Sequence, residues 1–86
     1  MKIIKFNAVW CPACLVQRTI WKSLKDEIKD INVTEYDYDL DEDMVLKYEV
    51  GKKLPVVIIL DDNDKEVKRL IGEKSKKEII EFLGIW

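Results

Sequence analysis

Histidine is absent from these 86 residues. That removes imidazole acid/base catalysis and most zinc chemistry in advance. Cysteine occurs twice, as Cys11 and Cys14, with only Pro12 and Ala13 between them. A disulfide-stapled secreted domain would carry more cysteines, spread along the chain. A bridge between such close neighbours closes a tiny loop and constrains the unfolded chain little. The pair therefore serves chemistry or metal, and two thiols without an imidazole are half of a closed zinc site. No apolar run is long: Val56–Leu60 falls far short of the ~18 residues a membrane-spanning helix needs. Charge of one sign is missing too. Fifteen basic against seventeen acidic side chains leave a net −2, which gives no electrostatic case for nucleic acid or an anionic membrane. In Met1-Lys2-Ile3-Ile4-Lys5 charge stands where an export signal needs apolar residues, so the expected location is cytoplasmic.

What is present reads as one small α/β domain spanning 1–86. At 48% hydrophobic and 37% charged, the chain is too apolar for disorder and too charged for a membrane protein. Lys2–Asn7 reads as a short strand with Ile3, Ile4 and Phe6 as its apolar content. Pro12 suits the first position of a helix, where its missing N–H would be unpaired anyway. Val16, Ile20, Leu24 and Ile28 recur every fourth residue with Trp21 beside them. They predict an apolar face on a helix ending near Asp30, with Gln17, Arg18, Lys22 and Lys25 on the other sides.

Val33–Asp39 alternates as a strand does, with Glu35, Asp37 and Asp39 on the polar face. Asp41-Glu42-Asp43 places negative charge at the start of a short helix carrying Met44, Val45 and Tyr48, which Gly51 is expected to close. Val56–Leu60 reads as a strand covered on both faces, Asp61–Asp64 as a turn and Lys65–Ile71 as the returning edge strand. Ser75-Lys76-Lys77-Glu78 is a capping box opening the last helix, with Ile79, Ile80, Phe82 and Leu83 facing inward. The expected fold is a mixed four-stranded sheet with three helices in the order βαβαββα. The spaced acids Asp37, Asp39, Asp41 and Asp43 are no calcium loop, because Glu42 stands at the glycine position and Tyr48 at the closing glutamate.

A CxxC after a strand and opening a helix, here Trp10-Cys11-Pro12-Ala13-Cys14, resembles the active-site signature of the thioredoxin/glutaredoxin-like family. Lys47-Tyr48-Glu49-Val50 and Leu54-Pro55-Val56 look like the segment leading to that family's cis-proline. Val67, Gly72, Ser75-Lys76 and Glu81-Phe82-Leu83 resemble its closing hairpin and last helix. The resemblance covers nearly the whole chain, minus the leading strand and helix of full-length thioredoxins. It implies a minimal thioredoxin-like fold and thiol–disulfide exchange with no bound cofactor. Protein disulfides would be the substrates, a thioredoxin-reductase-type enzyme or glutathione the electron donor, and the active form a monomer.

Position then assigns roles. Cys11, at the N-cap, has its sulfur near unpaired N–H groups and the helix dipole, which favour thiolate, so it is the expected nucleophile. Cys14 lies three residues further in and is the expected resolving thiol. The resemblance implies that Trp10, Pro12, Ala13 and the Gly72 turn form an apolar rim, and that Leu54, before a cis Pro55, offers its backbone to an extended substrate. Pro12 looks like glutaredoxins, Trp10 like thioredoxins. Leu54 and Ile71-Gly72-Glu73 stand where glutaredoxins carry glutathione-binding residues, which favours a reductase independent of glutathione.

One departure matters. Thioredoxins carry a buried aspartate where Lys5 stands here, and their lysine on the neighbouring strand falls at Glu35. The expectation is a Lys5–Glu35 pair beneath the site that tunes thiol pKa values, against the alternative that both side chains point to solvent. Two rival functions stay open: a glutathione-linked glutaredoxin-like carrier, and a non-enzymatic module binding metal or a cluster through the CxxC of two chains.

Overall fold

Strands and helices alternate as their periodicities dictate. In the computed structural model, which describes residues 2–28 and 32–84, the order is β1 (Lys2–Asn7), α1 (Pro12–Glu27), β2 (Asn32–Asp37), α2 (Glu42–Lys47), β3 (Val56–Leu60), β4 (Glu66–Ile71) and α3 (Lys76–Leu83). The sheet order is β2-β1-β3-β4, with β1 parallel to β2 and antiparallel to β3, and β4 antiparallel to β3. Among the described residues, no helix is long and apolar enough to cross a membrane.

The two central strands are buried on both faces, and their alternation sorts side chains into two cores. Ile4, Phe6, Val56, Ile58 and Leu60 form one with Tyr48, Val50, Leu54 and the two cysteines, against which Met44 and Val45 of α2 pack. Ile3, Val57 and Ile59 form the other with Trp21 and Leu24 of α1 and Ile79 and Leu83 of α3. All five residues of β3 are buried, each apolar side chain worth ~1.5–3 kcal/mol relative to leaving it exposed.

Four local expectations need correction. Val16 is 53% exposed, whereas Gln17, assigned to the polar side, is 1% exposed. Each four-residue step turns a helix by about 400°, so an every-fourth pattern drifts by about 40° per step. The face that packs runs Cys14, Gln17, Trp21, Leu24 instead. The helix stops at Glu27, and Asp30 lies outside the described residues.

β2 ends at Asp37, so Asp39 belongs to a turn rather than to a strand face. There Asp37 Oδ1 accepts from the N–H groups of Asp39 (2.8 Å) and Leu40 (3.1 Å), an Asx-type turn that uses an acid for local bonding. Gly51 does not close α2. Glu49 takes the positive φ (52°), and the Arg69 Nη2 of β4 donates to the Tyr48 carbonyl at 2.6 Å. An orphan carbonyl at the helix end thus receives a cationic donor, which lets a non-glycine residue make the turn.

The capping box is formed in full, Ser75 Oγ accepting from the Glu78 N–H and the Glu78 carboxylate from the Ser75 N–H. Ile79 and Leu83 are buried by α3, with Ile80 and Phe82 only half-covered.

Candidate active site

β1 aims the chain out of the sheet at Asn7, and Ala8-Val9-Trp10 turns it back into α1. The Cys11 N–H donates to the Ala8 carbonyl at 3.2 Å, closing that turn. Cys11 is the N-cap of α1 in extended backbone (φ −95°, ψ 108°), with Pro12 in the first helical turn. The Cys14 N–H donates to Cys11 Sγ at 3.2 Å. A sulfur in this place accepts an otherwise orphaned helix N–H and lies at the positive end of the helix dipole.

Exposure does not separate the two thiols, since each residue is only 5% exposed. Burial and the hydrogen bond to Cys11 push the Cys14 thiol up to about 11, against the opposing pull of the Ala8 backbone and the Lys5 charge. Cys14 therefore keeps its proton near neutrality.

The residues expected to form the rim lie as follows. Leu54 and Pro55 are buried, the bond between them is cis, and Leu54 packs in the same core as both cysteines. Gly72 is buried at φ 88°, a backbone region that favours glycine, and its N–H donates to the Pro55 carbonyl at 2.9 Å. Ala13 packs on the core and Pro12 is exposed. Trp10 is half-exposed. Its indole Nε1–H donates to Asp39 Oδ2 at 2.8 Å and its ring meets Tyr38 edge-on, centroids 6.2 Å apart. Asp39 escaped the sequence reading as a site neighbour because its alternation with Tyr38 resembled strand.

Lys5 and Glu35 do pair. They are register partners across β1 and β2, and Lys5 Nζ lies 3.3 Å from Glu35 Oε1. The solvent-facing alternative fails for Lys5, which is 2% exposed with its ammonium 5.5 Å from the Trp21 ring centroid. The Glu35 side chain is 48% exposed; it also accepts from Asn7 Nδ2 at 3.2 Å and lies 3.8 Å from Lys25 Nζ. Burial pushes the Lys5 ammonium down from its ordinary value, against the pull of Glu35. Burial alone would raise the Glu35 carboxyl, but Lys5 and Lys25 outweigh it and hold it below the usual carboxylate range. A cleft of about 300 Å³, lined by Lys5, Asn7, Cys14, Arg18, Glu35 and Tyr36 among others, joins the pair to Cys14. Among the described residues, no group of three or more His, Cys, Asp or Glu could hold a metal ion.

Comparison with known proteins agrees with this arrangement. The family model described as Thioredoxin matches residues 1–84. A thioredoxin of Chlamydia trachomatis is 28% identical over 82 residues, spanning 95% of this chain and 78% of that protein. Among solved structures, Fasciola hepatica thioredoxin superposes with a TM-score of 0.87 at 26% identity, covering 96% of this chain and 77% of its own. Thioredoxin 1 of Thermosipho africanus gives 0.81 at 26% identity, with 98% and 91% covered.

Proposed function

This chain belongs to the thioredoxin family and is a thiol–disulfide oxidoreductase, and from that premise we propose how its residues divide the reaction. The family points to protein disulfides as substrates and to a reductase-type electron donor. Cys11 is the nucleophile. Its sulfur attacks one sulfur of a substrate disulfide, forming a mixed disulfide and expelling the other substrate sulfur as thiolate, which takes up a proton. Cys14 then loses its proton and attacks Cys11 Sγ, forming the Cys11–Cys14 disulfide and releasing the second substrate thiol. Two electrons pass to the substrate, and the donor restores both thiols.

The observation that carries this order is the N-cap geometry. Cys11 Sγ is the sulfur that accepts a helix N–H, at 3.2 Å, while Cys14 is the sulfur held protonated. The second step needs that proton removed as the new S–S bond forms; Glu35 lines the same cleft and is the base we assign to it, while the Lys5 charge favours thiolate at Cys14. Trp10, Pro12, Ala13, Leu54, Pro55 and Gly72 form the substrate surface, with the Leu54 backbone pairing with an extended segment. We read the active form as a monomer; the β4 edge carries Glu66, Lys68 and Arg69, charges that discourage strand addition there.

The test supplies a protein disulfide with either thioredoxin reductase and its reductant or glutathione. Turnover is expected with the reductase and only at background level with glutathione. Comparable turnover from glutathione would move the chain to the glutaredoxin-like reading.

A further inference from the structure

Gln17 and Lys5 are the polar side chains buried among the described residues, and the dithiol reaction leaves Gln17 unused. It lies one turn below Cys14 on the inward face of α1, 1% exposed. A primary amide is unfavourable in such a place unless its polar atoms find partners, and here the Nε2 hydrogens find them while Oε1 stays buried without a donor. Gln17 Nε2 donates to the Gly72 carbonyl at 3.2 Å and to the Lys74 carbonyl at 3.3 Å. Both acceptors belong to the segment between β4 and α3. Gly72 has no side chain to anchor it; its N–H is held by Pro55 and its carbonyl by Gln17.

We propose that Gln17 is a positioning residue for substrate: it fixes the Gly72–Lys74 segment against the CxxC helix, setting the gap into which the substrate chain fits. The proposal rests on the reading of Gly72 as part of the substrate surface. A single amide on α1 thereby couples the helix that carries the cysteines to the loop facing them. Neither carbonyl can be satisfied by an apolar residue at position 17, so losing the amide leaves the segment free to swing toward water.

The test is Gln17→Met, which keeps length and volume and removes both hydrogen bonds. The KM for a protein disulfide should rise about five- to tenfold, the order expected for loss of hydrogen bonds to buried carbonyls. Turnover at saturation and the alkylation rate of Cys11 should stay within about twofold, because the thiol environment is untouched. Amide hydrogen exchange at Gly72 should quicken. Gln17→Asn, whose amide is one methylene short, should move the same readings in the same direction and guards against a methionine variant that does not fold. A lower melting temperature with unchanged KM and unchanged Gly72 exchange would reduce Gln17 to packing and overturn the proposal. The exchange comparison reads the clamp without reference to turnover, so its failure and a failure of the reductase reading are told apart.

Discussion

Lys5 and Glu35 meet across the parallel β1–β2 pair with Nζ 3.3 Å from Oε1, yet the lysine is sealed at 2% exposure while the glutamate reaches water. The burden of desolvation falls on the ammonium, and its partner is screened. Because burial lowers the folded-state value of Lys5, the unfolded chain binds more protons between that value and the ordinary 10.5. Stability from this group therefore rises with pH through that window.

Lys5→Met should be neutral to about 2 kcal/mol more stable at neutral pH, because apolar volume replaces the buried ammonium while the carboxylate left behind is solvated and keeps Lys25 nearby. Its advantage over wild type should shrink as pH approaches 10.5. Glu35→Gln should cost about 1–3 kcal/mol, since it leaves a buried ammonium without its carboxylate. Urea denaturation of the three proteins across pH measures both effects.

Both variants should hinder the resolving thiol, although their effects on stability run in opposite directions. Lys5→Met removes a charge that lowers the Cys14 value, so that thiol should titrate above its present value of about 11. Glu35→Gln should slow the resolving step while leaving formation of the mixed disulfide unchanged, as rapid-mixing kinetics would show. Unaltered thiol titration and unaltered resolution in both variants would return the pair to a structural role.

In the reduced protein, alkylation at neutral pH should fall on Cys11 ahead of Cys14. The Cys14 rate should climb about tenfold per pH unit until near pH 11, because the thiolate is the reacting form. Peptide-resolved mass spectrometry of initial rates tests this directly.

Gly72→Ala adds a Cβ at φ 88° and places it 3.1 Å from Lys53 Cε. The lysine end can move, but the backbone cannot relax without disturbing the bond to Pro55. A loss of about 1–2 kcal/mol is expected, with a raised KM for protein disulfides. Ser75→Ala, by contrast, should cost ~1 kcal/mol through its lost cap and leave KM unchanged.

Much of this was legible in the sequence for reasons that can be named. The five-residue apolar run of β3, the Ser75–Glu78 capping box and the proline after Cys11 are local signals, and each element formed where they pointed. The Lys5–Glu35 pairing was legible only through a family comparison, since nothing within either strand shows that the two lie in register. Gln17 was misassigned because helical drift, not residue type, decides which side packs, and its acceptors come from residues 72 and 74. Asp39 and Glu49 were missed because turn geometry there depends on partners elsewhere in space, the Trp10 indole and the Arg69 guanidinium.

The division of labour between the sulfurs is tested most directly by trapping. Cys14→Ser, incubated with a protein disulfide, should accumulate a covalent adduct through Cys11 that reductant releases, visible as a shifted band on a non-reducing gel. Cys11→Ser should give none. An adduct recovered with Cys11→Ser and not with Cys14→Ser would contradict the account.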